Sequence, residues 1–357
     1  MTKANTKKLW IIALIVVLVV IAVTVYFLTR PKTPPTEEKS LNLLTWATYI
    51  DDGTVAKFTE ETGIKINYST FLSNEEMLIK LRSADNEYDV ILASDYALNM
   101  LRKDGKLMKL DKELLPNYKN LDPDFLSKYY DENNEYTVPY TSGTPLIVYN
   151  PDLVDIEITG YEDLWNPALK DSVVVIDDAR NIIGITLKTL GYSFNTTNEK
   201  ELQEAKEKLF KLRPNIRAFN YDTPHNDLIS GDVSVGYMFT PFVLLAMDAN
   251  PNLKVVYPKE GMGFGIDSLV ISANAPHPAN AHKLLNFLLD AQVAGNTAAM
   301  QYYLSPVAAA YEFIPEYLRN NPAINIPKDI LGETEFIMDV GETESKFQDI
   351  WAEFKLQ

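Results

Sequence analysis

From Leu41 onward the chain alternates short apolar runs with longer amphipathic ones, joined by brief connections. That order leaves little choice but strands packed edge to edge with helices laid over them. LNLLTW (41–46) reads as a short buried strand, and Asp51 and Asp52 can cap a helix carrying Val55, Phe58 and Thr59, which Gly63 ends. IKINYST (64–70) is a strand with period-two alternation, Asn74 opens the helix EEMLIKLRSA, and DVILA (89–93) is another buried strand. The second half repeats the style. VVVID (173–177) is followed by a helix through NIIGITLKTL and a charged helix from about Glu199 to Leu212. VSVGYM (233–238), KVVYP (254–258) and DSLVIS (267–272) are further strands, and a long helix runs from about Pro278 to near Tyr303. Strand–helix–strand repetition predicts an α/β chain with parallel or mixed sheets covered on both faces.

At 357 residues the chain exceeds the ~250 at which single cores stop growing, so two α/β lobes are expected. The chain should cross between them near Tyr140–Tyr149 and return near Phe264–Asp267. That division gives one lobe from 41–145 plus about 266–304, and a second from about 146–265 plus 305–357. No repeat of fixed period is visible, which argues against a solenoid.

Residues 9–28 read LWIIALIVVLVVIAVTVYFL, twenty positions without a charge. As a helix this run is about 30 Å long, the hydrocarbon thickness of a bilayer. Lys3, Lys7 and Lys8 precede it and place residues 1–8 in the cytoplasm, while Trp10, Tyr26 and Phe27 stand near its ends. A cleaved signal peptide would have an apolar stretch of about 7–15 residues and a small-x-small site. Tyr26-Phe27-Leu28-Thr29-Arg30 offers no such site, so an uncleaved single-pass signal-anchor is expected. The Pro-rich residues 29–40 then form a spacer that holds the body off the extracytoplasmic face of the cell membrane.

Five of the 33 basic residues lie in the first 36, where there is no Asp or Glu; the remainder carries 28 basic against 49 acidic residues, a formal −21. Such a field repels nucleic acid and draws cations toward any cleft. The absence of cysteine excludes disulfides, thiolate metal sites and cysteine nucleophiles. His225, His277 and His282 are the only histidines, none forms an H-x-x-x-H pair, and two sit beside prolines in loops. GMGFG (261–265) lacks the helix that phosphate binding would use and reads as a turn. No catalytic group, metal site or cofactor is therefore expected.

Asp177 and Asp178 end a strand, the place where α/β sheets put ligand-contacting side chains. One of them caps the next helix or pairs with Arg180 and the other faces a cleft, or both are structural. Asp267 opens a strand whose other members are apolar or small, and a carboxylate there needs a partner or a cation. Trp46, Tyr49, Tyr96, Phe239, Phe264, Tyr302 and Tyr303 all fall at strand ends or in loops. Aromatic faces with carboxylates at the charged ends suit an alkyl ammonium, at ~0.5–2 kcal/mol per ring.

From about Leu41 to the C-terminus the chain resembles the bacterial spermidine/putrescine-binding proteins that feed ATP-driven importers. The segments that carry the resemblance are TWATYI, KFTEETGIKINYST, SNEEMLIKLRS, YDVILASDY, NLDPDFL, YTVPY, DLWNP, IDDAR, KTLGYSFNTTN, YPKEG, DSLVISANA and NFLLD. The membrane segment lies outside the match. The resemblance implies a two-lobed periplasmic-binding-protein fold that closes over a polyamine, performs no chemistry and delivers its ligand to the membrane permease subunits of an ABC importer. By position it implies that Trp46, Tyr49, Ser94, Tyr96, Asp178, Asp267 and Tyr303 line the pocket.

Five matched positions depart from the family pattern. Ala47 stands where a threonine is usual, Asn181 replaces a glutamate, Phe239 and Gly265 replace tryptophans, and Ile337 aligns with a glutamine. Fewer carboxylates and donors imply weaker recognition of an extra ammonium group and a pocket suited to a shorter diamine. Alternatives are a binding protein for another small cation, an amino acid or an iron complex, and a membrane-anchored hydrolase. Tyr302-Tyr303 alone supports iron poorly, and the chain lacks a nucleophile elbow.

Overall fold

Period-two burial builds the first sheet. On β1 (Ser40–Trp46), Leu41 and Leu43 face one core and Leu44 the other. On β3 (Val90–Ser94), Val90 and Leu92 oppose Ile91 and Ala93 in the same way. β2 (Lys65–Phe71) and β3 flank β1 in parallel register, Leu43 opposite both Tyr68 and Val90. The structure, a computed structural model, describes residues 39–357 apart from Thr48 and Asp85. The expected cytoplasmic residues 1–8, membrane segment 9–28 and most of the 29–40 spacer lie outside the described residues. No helix among the described residues is long and apolar enough to cross a membrane.

The connecting helices form where caps and patterning predicted them. α1 (Asp52–Thr62) begins at Asp51, whose Oδ1 accepts the Thr54 N–H at 3.0 Å, and ends at Gly63 with φ 71°. That left-handed angle is one that glycine adopts without a Cβ penalty. α2 (Asn74–Ser83) is capped by Ser73, and α3 (Asp95–Lys103) follows β3 directly.

β4 (Thr137–Gly143), β10 (Gly263–Ile271) and the two-residue β11 (Glu335–Phe336) complete this six-stranded layer, β10 lying antiparallel between β3 and β4 and pairing in parallel with β11 at its start. One residue, Thr144, separates β4 from β5 (Pro145–Tyr149), which belongs to the second sheet. That sheet has the order β7-β6-β8-β5-β9, with β6 (Val173–Val175), β7 (Ile216–Phe219), β8 (Val235–Phe239) and β9 (Lys254–Val256). α4 (Ala179–Thr189) and α5 (Glu199–Phe210) cover it, joined by the C-terminal helix α10 (Glu344–Lys355). The chain is thus an α/β protein with two sheets, and Ser40–Gln357 fold as one compact unit. β4 and β5 meet at Thr144, and β10 begins at Gly263, four residues before the segment DSLVIS, so it is longer than that segment.

The long helix expected from Pro278 to Tyr303 is two helices. α8 (Pro278–Leu288) stops at Leu289, and Asp290 starts α9 (Ala291–Gln301) by accepting the Gln292 and Val293 N–H groups at 3.0 and 3.2 Å. Asn117 and Asn120 donate to the carbonyls of Asn286 and Leu289, satisfying orphan acceptors at the end of α8. Helices also follow β8, as α7 (Thr240–Ala249), and lie between β7 and β8, as α6 (Pro224–Ile229); the sequence reading assigned neither.

Candidate ligand-binding site

The strand register brings Asp267 opposite Ser94 of β3 and Thr141 of β4. Tyr49 donates its hydroxyl to Asp267 Oδ2 at 2.7 Å, and the Ser94 hydroxyl is the second hydrogen-bonding group at this carboxylate. Ser94 stands just before α3, where a serine commonly caps, yet its side chain makes no cap bond. Burial pushes the Asp267 carboxyl above its ordinary range, against the pull of these two donors. The Tyr49 phenol is raised well above its usual value, first by burial and then by the Asp267 charge.

Tyr49 is held from behind. Its carbonyl accepts the Tyr140 hydroxyl at 2.8 Å and the Gln301 amide. Trp46 packs on Phe71 with ring centres 4.5 Å apart and on Tyr49 at 6.2 Å, and its buried indole N–H has no partner among the described residues. Exposed Ala47 sits between the two aromatic residues. α9 ends in Tyr302, a non-glycine residue in the left-handed region (φ 59°), and the next ring, Tyr303, lies over Gly143. A Cβ at Gly143 would stand 2.7 Å from two Tyr303 ring carbons. The Tyr303 phenol is raised by burial and then by Asp267. Tyr96 donates its hydroxyl to Glu75 at 3.2 Å.

The second sheet contributes Asp178. The structure resolves the Asp177–Asp178 alternatives: Asp178 caps α4 by accepting the Asn181 N–H at 2.8 Å. Asp177 instead accepts from Trp351 at 2.9 Å and Lys355 at 2.8 Å on α10. Burial raises the Asp178 carboxyl; the Asn181 hydrogen bonds and the Arg180 charge oppose this. Arg180 is itself paired with Glu344 at 2.9 Å. Asn181 is buried, and its side-chain oxygen has no partner among the described residues.

Tyr221, in the loop after β7 and half-exposed, is a candidate site residue that the sequence did not suggest. Its phenol is pushed up to about 12 by burial and then by the charges of Asp178 and Asp267, so it lies within electrostatic reach of carboxylates from both sheets. Its ring meets Phe239 edge-on at 6.3 Å. Asp95 is also new: its oxygens accept from the Ile266 N–H at 3.2 Å and the Tyr129 hydroxyl at 3.3 Å. Gly265 accepts the Ser142 hydroxyl on its carbonyl at 2.9 Å, and a Cβ there would meet nothing within 4 Å. Ile337 packs near Gly263, where an added Cβ would approach its Cδ1 to 3.0 Å.

The three histidines are tied structurally. His282 Nε2 accepts the Asp111 N–H at 3.0 Å, His277 Nδ1 meets Asp89 at 2.9 Å, and His225 stacks on Phe242 at 5.5 Å. The arrangement as a whole is two half-buried carboxylates from different sheets with aromatic rings around them, a geometry for holding a cation.

Residues 53–325 match the model of the bacterial extracellular solute-binding protein family. The chain is 39% identical over 321 residues to the spermidine/putrescine-binding periplasmic protein of Escherichia coli, covering 89% of this chain and 92% of that one. It is 31% identical over 339 residues to the putrescine-binding periplasmic protein SpuD of Pseudomonas aeruginosa, covering 89% and 92%. Among solved structures, the spermidine/putrescine ABC transporter substrate-binding protein PotD from Streptococcus pneumoniae superposes with a TM-score of 0.80 at 32% identity, covering 89% of this chain and 98% of that one. The two-lobed α/β architecture is that of a periplasmic binding protein, and the chain belongs to the bacterial extracellular solute-binding proteins.

Proposed function

We propose that this protein captures a polyamine, putrescine and/or spermidine, outside the cytoplasm and delivers it to the permease of an ATP-driven importer, performing no chemistry itself. The observation that carries the reading is the pair Asp267 and Asp178, raised by burial, on different sheets, with Tyr49, Tyr303 and Tyr221 between them. Asp267 has no cationic neighbour among the described residues, and the Arg180 charge near Asp178 is itself paired with Glu344, so a diammonium ligand would supply counter-charge at each end. Trp46 and Phe239 supply aromatic walls for the alkyl chain. The lobes take part as 41–145 plus about 266–304 and about 146–265 plus 305–357. Ala47, Ser94, Tyr96, Asn181, Gly265 and Ile337 complete the pocket, whose reduced set of carboxylates and donors favours the shorter diamine. Residues 9–28 form the signal-anchor, leaving the binding domain on the extracytoplasmic face.

Calorimetry with putrescine, cadaverine and spermidine tests this. Asp267→Asn and Asp178→Asn should each weaken binding by about 3 kcal/mol, on the order of a hundredfold in Kd, while Glu199→Gln, on an exposed helix, should leave it unchanged. Equal binding by the wild type and both cleft variants defeats the assignment, and a clear spermidine preference defeats the selectivity.

A further inference from the structure

Asp95 stands immediately behind the proposed amine site. It is the first residue of α3, 2% exposed, and follows Ser94, the residue paired in register with Asp267. Its Oδ2 accepts the N–H of Ile266, the residue before Asp267, so the two carboxyl groups are locked to adjacent backbone positions of one strand. Its Oδ1 accepts from Tyr129, whose ring packs edge-on against Phe336 and Tyr130 at 5.5 and 5.4 Å. The groups facing Asp95 are Asp267 from β10, and Tyr129 and Tyr130 from the segment before β4; Asp339 lies behind Tyr129, and Asp131 behind Tyr130. None of them is basic, and no Lys, Arg or His pairs with Asp95 or Asp267 among the described residues. The α3 N-terminus and the hydrogen bonds favour an anion, but burial and the neighbouring Asp267 charge oppose it. Such a pair titrates jointly.

We infer that Asp95 acts through Asp267 as a specificity-determining residue: in the free protein the two carboxyl groups hold one proton between them, and an arriving ammonium group displaces it to solvent. The exchange balances. One positive charge enters at Asp267, one proton leaves the pair, and both carboxylates are anionic in the complex. A ligand end without a positive charge cannot drive that release, so the pair selects for cationic ends. Burial, followed by the Asp267 charge, pushes the Asp95 carboxyl up to about 8 after the opposing Ile266 hydrogen bond, which puts the exchange at neutral pH. The inference rests on Asp267 as an amine contact, as proposed above.

The sign of the pH dependence follows. The free protein binds the extra proton more tightly than the complex does, so affinity rises with pH up to about 8 and is flat above it. The rise is at most tenfold per pH unit for one proton. Alkyl ammonium groups stay charged throughout this range, so the ligand does not contribute.

The test is calorimetry of the full-length chain in detergent with putrescine, from pH 6 to 8, in buffers of different ionisation enthalpy. The wild type should release about one proton per ligand at pH 7. Asp95→Asn should bind with no release and with a pH-independent Kd. Tyr129→Phe removes a donor that favours the anion, so it should move the pH midpoint upward; this keeps the inference testable should Asp95→Asn misfold. Zero release by the wild type, equal release by Asp95→Asn, or an unmoved midpoint in Tyr129→Phe overturns the inference while leaving polyamine binding intact. Absence of heat with every polyamine overturns the underlying function instead.

Discussion

Gly143 and Tyr303 are fitted to each other: the ring occupies the space where any other residue at 143 would carry its Cβ. Gly143→Ala should displace the ring and weaken putrescine binding by about tenfold, or ~1.4 kcal/mol. Because the ring borders the cleft, the denaturant midpoint should change little; a large stability loss with intact affinity would show that the contact serves the fold instead. At this scale the sequence was a partial guide. Trp46, Tyr49 and Asp267 could be proposed from strand ends, which in an α/β sheet converge on one crevice, whereas Ser94 came only from the resemblance. Tyr221 was not, since it lies in a loop with no periodicity, and its neighbours Phe239, Asp178 and Asp267 come from distant segments. Asp95 was missed because an aspartate opening a helix reads as an ordinary first-turn acid. Only the return of β10, whose Ile266 lies 171 residues from Asp95, puts a second carboxylate beside it.

At the level of elements, the junction between α8 and α9 shows where patterning misleads. Leu288, Leu289 and Val293 are all buried, so the apolar stripe runs through the break without interruption. The stop is made by Asp290 capping the next helix and by asparagines reaching the last carbonyls of α8, both local polar events that periodicity does not register. Asp290→Ala should cost about 1 kcal/mol of stability, read from urea unfolding, with ligand affinity unchanged. A loss of affinity instead would mean that α9, which delivers Gln301 to the Tyr49 carbonyl and ends at Tyr302, loses its position with its cap. The strands that carry site residues were read within a few residues of their bounds, while β4 and β5 appeared only as a crossing. Their sequence, YTVPYTSGTPLIVY, is punctuated by prolines and a glycine that suggest a loop. Pairing with β10 and β8 overrides that local preference.

For the whole molecule, the formal −21 of the body and the two carboxylates proposed as ligand contacts should act in the same direction, drawing cations inward. Residues 37–357 should therefore bind putrescine with the Kd of the full chain, with an association rate that falls as salt rises; stopped-flow kinetics at low and high ionic strength would measure this. A truncated body that binds more weakly would give residues 1–36 a part in recognition.

The single-residue passage between the sheets has a mechanical consequence. Thr144 is fully buried; its hydroxyl donates to the Gly263 carbonyl where β10 begins, and its own carbonyl accepts the Thr240 hydroxyl at 3.0 Å. The β4–β5 crossing and the start of β10 are thus stitched together side by side. Such a joint is expected to resist sliding of one sheet past the other at this point, so relative motion of the sheets should pivot here rather than shear. A ligand bridging Asp178 and Asp267, as proposed above, would then close the two sheets about this pivot.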